Sequence, residues 1–200
     1  MAKQKIELFL AQQKQDTMEI IGFVKSELQQ MDETLLLKKP SPGKWSIIEC
    51  LEHLNITGRL YIPQMEERMI SGEKLNSNGS SFYSSGFMGS WSIKSMKPLE
   101  NGKIKSSMKT FKSFEPKLKD ESGQEVRRII DEFQEQQNRL LEVIRKSREM
   151  NLNKNKITSA LGKILRFRLG DAIAFLIAHN QRHILQIKKT LNALEFSTSQ

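Results

Sequence analysis

His179 and His183 stand four residues apart in the stretch FLIAHNQRHILQIKK, residues 175–189. On an α-helix this spacing puts both imidazoles on one face, one turn apart. Two nitrogens so placed can reach a single divalent ion at about 2.0–2.1 Å. A third ligand must then come from elsewhere, and the only other histidine is His53, far upstream. The competing reading is packing: two histidines at the edge of a core, each hydrogen-bonded to a carbonyl or a neighbouring side chain. Periodicity leaves both open. The apolar stripe Leu176, His183, Ile187, Leu191, Leu194 carries His183 and leaves His179 at its edge. His53 sits beside Cys50, Thr57 and Leu60, on the flank of its own stripe.

Four amphipathic stretches must position these residues. Residues 4–31 read as one helix, with apolar residues recurring from Ile6 and Leu10 through Ile20, Val24 and Leu28 and no proline. The turn KKPSPGKW, residues 38–45, breaks it. Ser46 and Glu49 form an S-x-x-E capping box that opens a second helix, which Ser71 and Gly72 end. Pro63 lies inside it and predicts a kink or a local break. A second S-x-x-E, Ser122 to Glu125, opens a third helix that runs to about Asn151. Residues 152–169 read as a basic linker of helical or loop character. Gly170 and Asp171 open the fourth helix, which runs to about Glu195. No strand-like alternation of useful length is visible. The expectation is an all-α protein, a four-helix bundle in one domain spanning residues 1–200, with a long irregular segment between helices two and three. That segment, residues 72–120, is too long to be wholly structureless, and GFMGSWSIKSM is expected to form a short helix docked on the core.

Composition narrows the class. With 38% hydrophobic and 28% charged residues the chain reads as soluble and globular. No secretory signal and no run long enough for a membrane span are seen. The single cysteine, Cys50, allows no internal disulfide and fits the cytoplasm. It also excludes zinc sites built from several cysteines. The net charge of +9 is concentrated. Residues 94–119 hold eight lysines, Lys105 among them, against Glu100 and Glu115, a net of +6.

The blocks KWSIIECLEHL, with Trp45, Ser46 and His53, and LGDAIAFLIAHNQRHILQI together resemble the DinB-like family of bacterial metalloproteins. The resemblance extends over the whole chain. It implies a four-helix bundle in which His53, His179 and His183 bind one divalent ion, nickel or zinc, at one end. It also implies metal-dependent hydrolysis, or thiol transfer using a low-molecular-weight thiol, on a small-molecule substrate.

Three imidazoles with an open position are the layout of a catalytic metal site. An ion so held can lower the pKa of water to about 7 or activate a thiolate or carbonyl. Asn180 stands where an H-E-x-x-H protease carries its glutamate, so a metalloprotease is rejected. No G-x-S-x-G, P-loop or dinucleotide fingerprint is present. Gln186 is either a partner for the His183 ring or an exposed polar residue. Trp45 packs over the second helix or lines a pocket. Asn180 is expected to face a neighbouring helix, and Cys50 to be a small core residue. The methionines and phenylalanines of 82–96 wall an apolar pocket or fill the bundle end. The rival function is a non-catalytic binding module whose basic loop, with aromatics interleaved as in KTFKSF, contacts nucleic acid or another acidic partner. Such a run is normally a solvated loop, which disfavours nucleic acid. No membrane partner is expected; pairing of apolar helix faces into a homodimer is a further option.

Overall fold

The computed structural model describes residues 3–75, 81–99, 101–104 and 109–198. Glu100 and Lys105 of the basic segment lie outside them. Among the described residues the protein is mostly helical with two small antiparallel sheets. The elements in order are β1 (Lys3–Lys5), α1 (Ile6–Phe23), α2 (Glu33–Leu37), α3 (Ile47–Ser71), β2 (Phe82–Ser84), α4 (Phe87–Met96), α5 (Gly123–Lys146), β3 (Lys156–Ser159), β4 (Gly162–Arg168) and α6 (Leu169–Thr198). β1 pairs with β2 and β3 with β4.

The long helices pack in a closed cycle. α3 lies against α5 and α6, and α1 against the same two. Between them sits one buried apolar cluster, drawn from Leu10 and Ile20 of α1, Leu51 and Met65 of α3, Phe133 and Leu140 of α5, and Ile173 and Ile187 of α6. Each such side chain contributes about 1.5–3 kcal/mol when fully buried. That outweighs the cost of about 1 kcal/mol for Gly58 in mid-helix. A Cβ at Gly58 would stand 1.7 Å from the side-chain amide oxygen of Gln136 in α5, which would have to move aside.

The helix starts follow local chemistry. Ser46 Oγ accepts from the Glu49 N–H at 3.2 Å, and the Glu49 carboxylate accepts from the Ser46 N–H at 2.8 Å. Ser122 caps α5 through the Glu125 N–H, but the Glu125 carboxylate turns to Arg128 instead of closing the box.

Several expectations are corrected. Within residues 152–169, expected as a basic linker, Lys156–Ser159 and Gly162–Arg168 pair instead as the β3–β4 hairpin of an otherwise mostly helical protein. The first helix is not continuous over 4–31: residues 3–5 are a strand, and the helix passes into a π-helical turn at Val24–Leu28. The third ends at Lys146 and a 3-10 turn, Ser147–Glu149, follows. Pro63 does not break α3. Pro63 and Arg59 both lie exposed, where water can pair with the Arg59 carbonyl that the proline deprives of a donor.

The segment between α3 and α5 is built rather than bare. It carries β2, the expected short helix α4, and a 3-10 turn at Lys112–Phe114. α4 lies on α6, pinned by the buried Asp171. The Asp171 carboxylate accepts from Tyr83 Oη and Ser85 Oγ, each at 2.5 Å, and from the Gly86 N–H. Gly89 permits the close crossing, since a Cβ there would meet Asp171 at 2.3 Å.

Candidate metal centre

His53 lies two turns into α3, and His179 and His183 lie one turn apart in α6. Contact between these helices brings the three rings together. All are buried, and a nitrogen from each falls within 4.8 Å of the other two. Ring centroids stand 4.6–5.0 Å apart. The flank position of His53 on its helical wheel is the side that faces this cluster, not solvent.

Hydrogen bonds fix two of the tautomers. His53 Nδ1 lies 2.7 Å from the Phe114 carbonyl oxygen. A carbonyl only accepts, so Nδ1 carries the proton and Nε2 keeps its lone pair. His183 Nδ1 is held in the same way by Gln186 Oε1 at 3.1 Å. In proteins generally, an acceptor placed behind an imidazole in this way orients the ring toward a metal ion. His179 is fixed by stacking: the Phe175 ring lies parallel to it within 5°, at 6.1 Å. Trp45 covers the cluster, with its ring centroid 5.0 Å from His53 and 6.1 Å from His183.

Two observations test whether these residues suit a cation. His53 Nε2 and His179 Nε2 face each other at 3.1 Å. Lone pairs so placed repel unless a proton or a metal ion lies between them. Two nitrogens on one tetrahedral ion stand about 3.3 Å apart. His179 Nδ1 is buried with no hydrogen-bond partner among the described residues, so no acceptor there fixes the tautomer, and the ring presents its Nε2 lone pair only with an unpaired proton on Nδ1. The electrostatics agree. Burial holds His53 below the ordinary histidine range against the opposing Phe114 carbonyl. Burial, then His183, His53 and Arg182, push His179 well below that range. Burial, then His53 and Arg182, bring His183 to about 3. All three rings are therefore neutral at pH 7, the form that ligates metal. The cluster can hold a metal ion.

The rings open onto a cavity of about 640 Å³. Helix α3 supplies Tyr61; α4 supplies Trp91 and Met96; the hairpin supplies Leu161 and Phe167. Of the aromatics and methionines in 82–96, only these two α4 residues line it, while Phe87 and Met88 stay exposed. The basic segment enters as well, through Lys109, Phe111 and Phe114.

The sequence profile of the DinB superfamily matches residues 24–187. The chain belongs to the DinB superfamily. The matched span includes all three histidines and most of the cavity wall. No curated protein and no solved structure matches the chain.

Other expectations within this DinB fold sort cleanly. Gln186 does hold the His183 ring. Trp45 does line the pocket. Asn180 turns away to donate to Gln137 Oε1 of α5 at 2.9 Å. Cys50 is fully buried, and burial with Glu49 nearby raises its thiol to about 12, so it is a core residue. Sequence reasoning missed the Phe114 carbonyl, which has no side-chain signature. It also passed over Phe175 and Arg182, although both lie within the histidine block on the face of α6 that carries His179. No helix among the described residues is long and apolar enough to cross a membrane.

Proposed function

We propose that this DinB-superfamily protein is a metal-dependent enzyme in which His53, His179 and His183 hold one divalent ion, nickel or zinc. We read its four long helices as a four-helix bundle in one domain that places this centre at one end. The reaction is hydrolysis, or transfer of a low-molecular-weight thiol, on a small molecule bound in the adjoining cavity. The observation that carries the reading is the convergence of three buried, neutral imidazoles on the wall of a cavity of about 640 Å³.

When bound, such an ion supplies Lewis acidity to the cavity. The chain's own residues do the rest. Phe114 and Gln186 hold protons on the outer ring nitrogens and so turn the inner lone pairs toward one point. Trp45 and Phe175 pack on the rings and restrict their rotation. Tyr61 and Phe167, both buried, keep water from the apolar end. No aspartate or glutamate stands among the described lining residues, so no carboxylate there serves as general base. The Tyr61 hydroxyl, raised to about 12 by burial, accepts from the Ala160 N–H and stays protonated.

The test is metal analysis of protein purified without a histidine tag, followed by zinc and nickel titration by calorimetry. One ion per chain is expected, and His179→Ala should lose it. Stoichiometry that stays near zero on titration overturns the reading.

A further inference from the structure

The cavity is polarised along α6. At the Phe175 end its wall is apolar: Tyr61, Leu161, Phe167 and Phe175. At the other end the same helix presents Arg182 and, seven residues on, Lys189. Arg182 stands two turns, about 10 Å, along the axis from Phe175. His179 lies between them along the axis, and His183 is level with Arg182, one residue on. Lys44, beside Trp45, and Lys109, from the basic segment, add two more cations to the wall. Against these four there is no acidic residue among the described lining. Lys44, Lys109 and Lys189 are exposed at the mouth, whereas Arg182 is only 8% exposed. Its guanidinium is tied to α4 through the Ser95 carbonyl at 3.4 Å, which fixes it in the wall. A cavity lined by one sign of charge beside low-dielectric walls concentrates ions of the opposite sign. An apolar pocket with a few convergent polar groups fixes both the identity and the direction of its ligand.

We propose that the cavity takes an amphipathic anion, with its apolar body against Phe167 and Phe175, its acidic group toward Arg182 and Lys189, and its reacting bond beside the three histidines. This rests on reading the cavity as the substrate site, and it names the class and direction of the substrate. Arg182 is a specificity residue in this scheme, and the lysines at the mouth steer the anion in.

The protein carries its own reporter. Its two tryptophans, Trp45 and Trp91, both line the cavity. Their fluorescence is titrated with 4-phenylbutyrate, 4-phenylbutyramide, 4-phenylbutylamine and acetate. The protein is used first stripped with chelator and then loaded with zinc. In stripped protein the acid should bind about tenfold tighter than the amide, as for one charge-assisted contact. The amine should bind weakest. Acetate, lacking the ring, should also lose about tenfold or more. Arg182→Gln should erase the advantage of acid over amide while leaving the amide unchanged. Lys189→Gln, at an exposed position that folding tolerates, should reduce it and weaken its dependence on salt. Equal binding of acid and amide overturns the proposal, as does absence of binding by every probe. An acid preference that appears only with zinc also overturns it, because the ion alone would then select the anion. Failure of the metal reading shows separately: stripped protein would keep its preference for the acid and take up no zinc.

Discussion

His53 and Phe114 are 61 residues apart in sequence, yet the Nδ1 of one lies 2.7 Å from the carbonyl oxygen of the other. The basic segment, which reads in sequence as a solvated loop, thereby supports a buried ring. Nitrogen-15 NMR of metal-stripped protein should show His53 and His183 with the proton on Nδ1. An Nε2-protonated His53 would contradict the arrangement. Gln186→Leu removes the acceptor for His183, and zinc affinity measured by calorimetry should fall about tenfold or more.

Asp171 ties β2 and the start of α4 to α6 through Tyr83, Ser85 and Gly86. Asp171→Ala leaves the buried Tyr83 hydroxyl without its acceptor. The expected loss is about 1–3 kcal/mol in urea unfolding. Hydrogen exchange in residues 82–96 should accelerate more than in α5. Uniform acceleration would mean that α4 does not depend on this anchor.

The Arg128 guanidinium, helped by the Lys119 N–H, holds the Glu125 carboxyl at about 2, below its ordinary 4.5. A carboxyl lowered on folding adds stability that is complete above its unfolded value and disappears as pH falls toward the folded one. Wild-type protein should therefore lose stability between about pH 5 and 2. Urea midpoints of Glu125→Gln should decline less over that interval. Parallel curves would show that Arg128 does not stabilise the charged form.

Gly58 faces Gln136, whose side-chain amide donates to the Asn55 carbonyl and to Glu132. A methyl group at residue 58 must displace that buried amide. Gly58→Ala should therefore destabilise the protein by about 1–3 kcal/mol, despite alanine's better helix propensity. Thermal denaturation measures it. A stabilised variant would show that α3 and α5 can separate at this point without loss.

What the sequence revealed was set by how far each signal extends. The long helices repeat their apolar stripe over many turns, and the Ser46–Glu49 box marks a start to the residue. The histidine pair declares itself by spacing. Lys156–Ser159 gives only Ile157 and Ser159 as inward positions, and on β4 the side chain of Ile164 is fully exposed. Two periods of alternation, one with an apolar residue facing out, do not stand above chance. The β1–β2 pair is harder still, since Lys3, Gln4 and Lys5 are all exposed and only the pairing with Phe82–Ser84 makes them a strand. His53 was ambiguous for another reason. A helical wheel separates core from solvent, but it has no third category for a cleft, and His53 faces one.

The nitrogens that converge on one point are carried by α3 and α6, while much of the wall around them comes from connections: residues 44–45, 109–114 and 159–161. Part of that wall can therefore vary while α3 and α6, which carry the rings, stay as they are. Exchange of residues 109–111 and 160–161 between relatives should reshape the cavity, while Phe114 and Trp45 must stay to hold the rings.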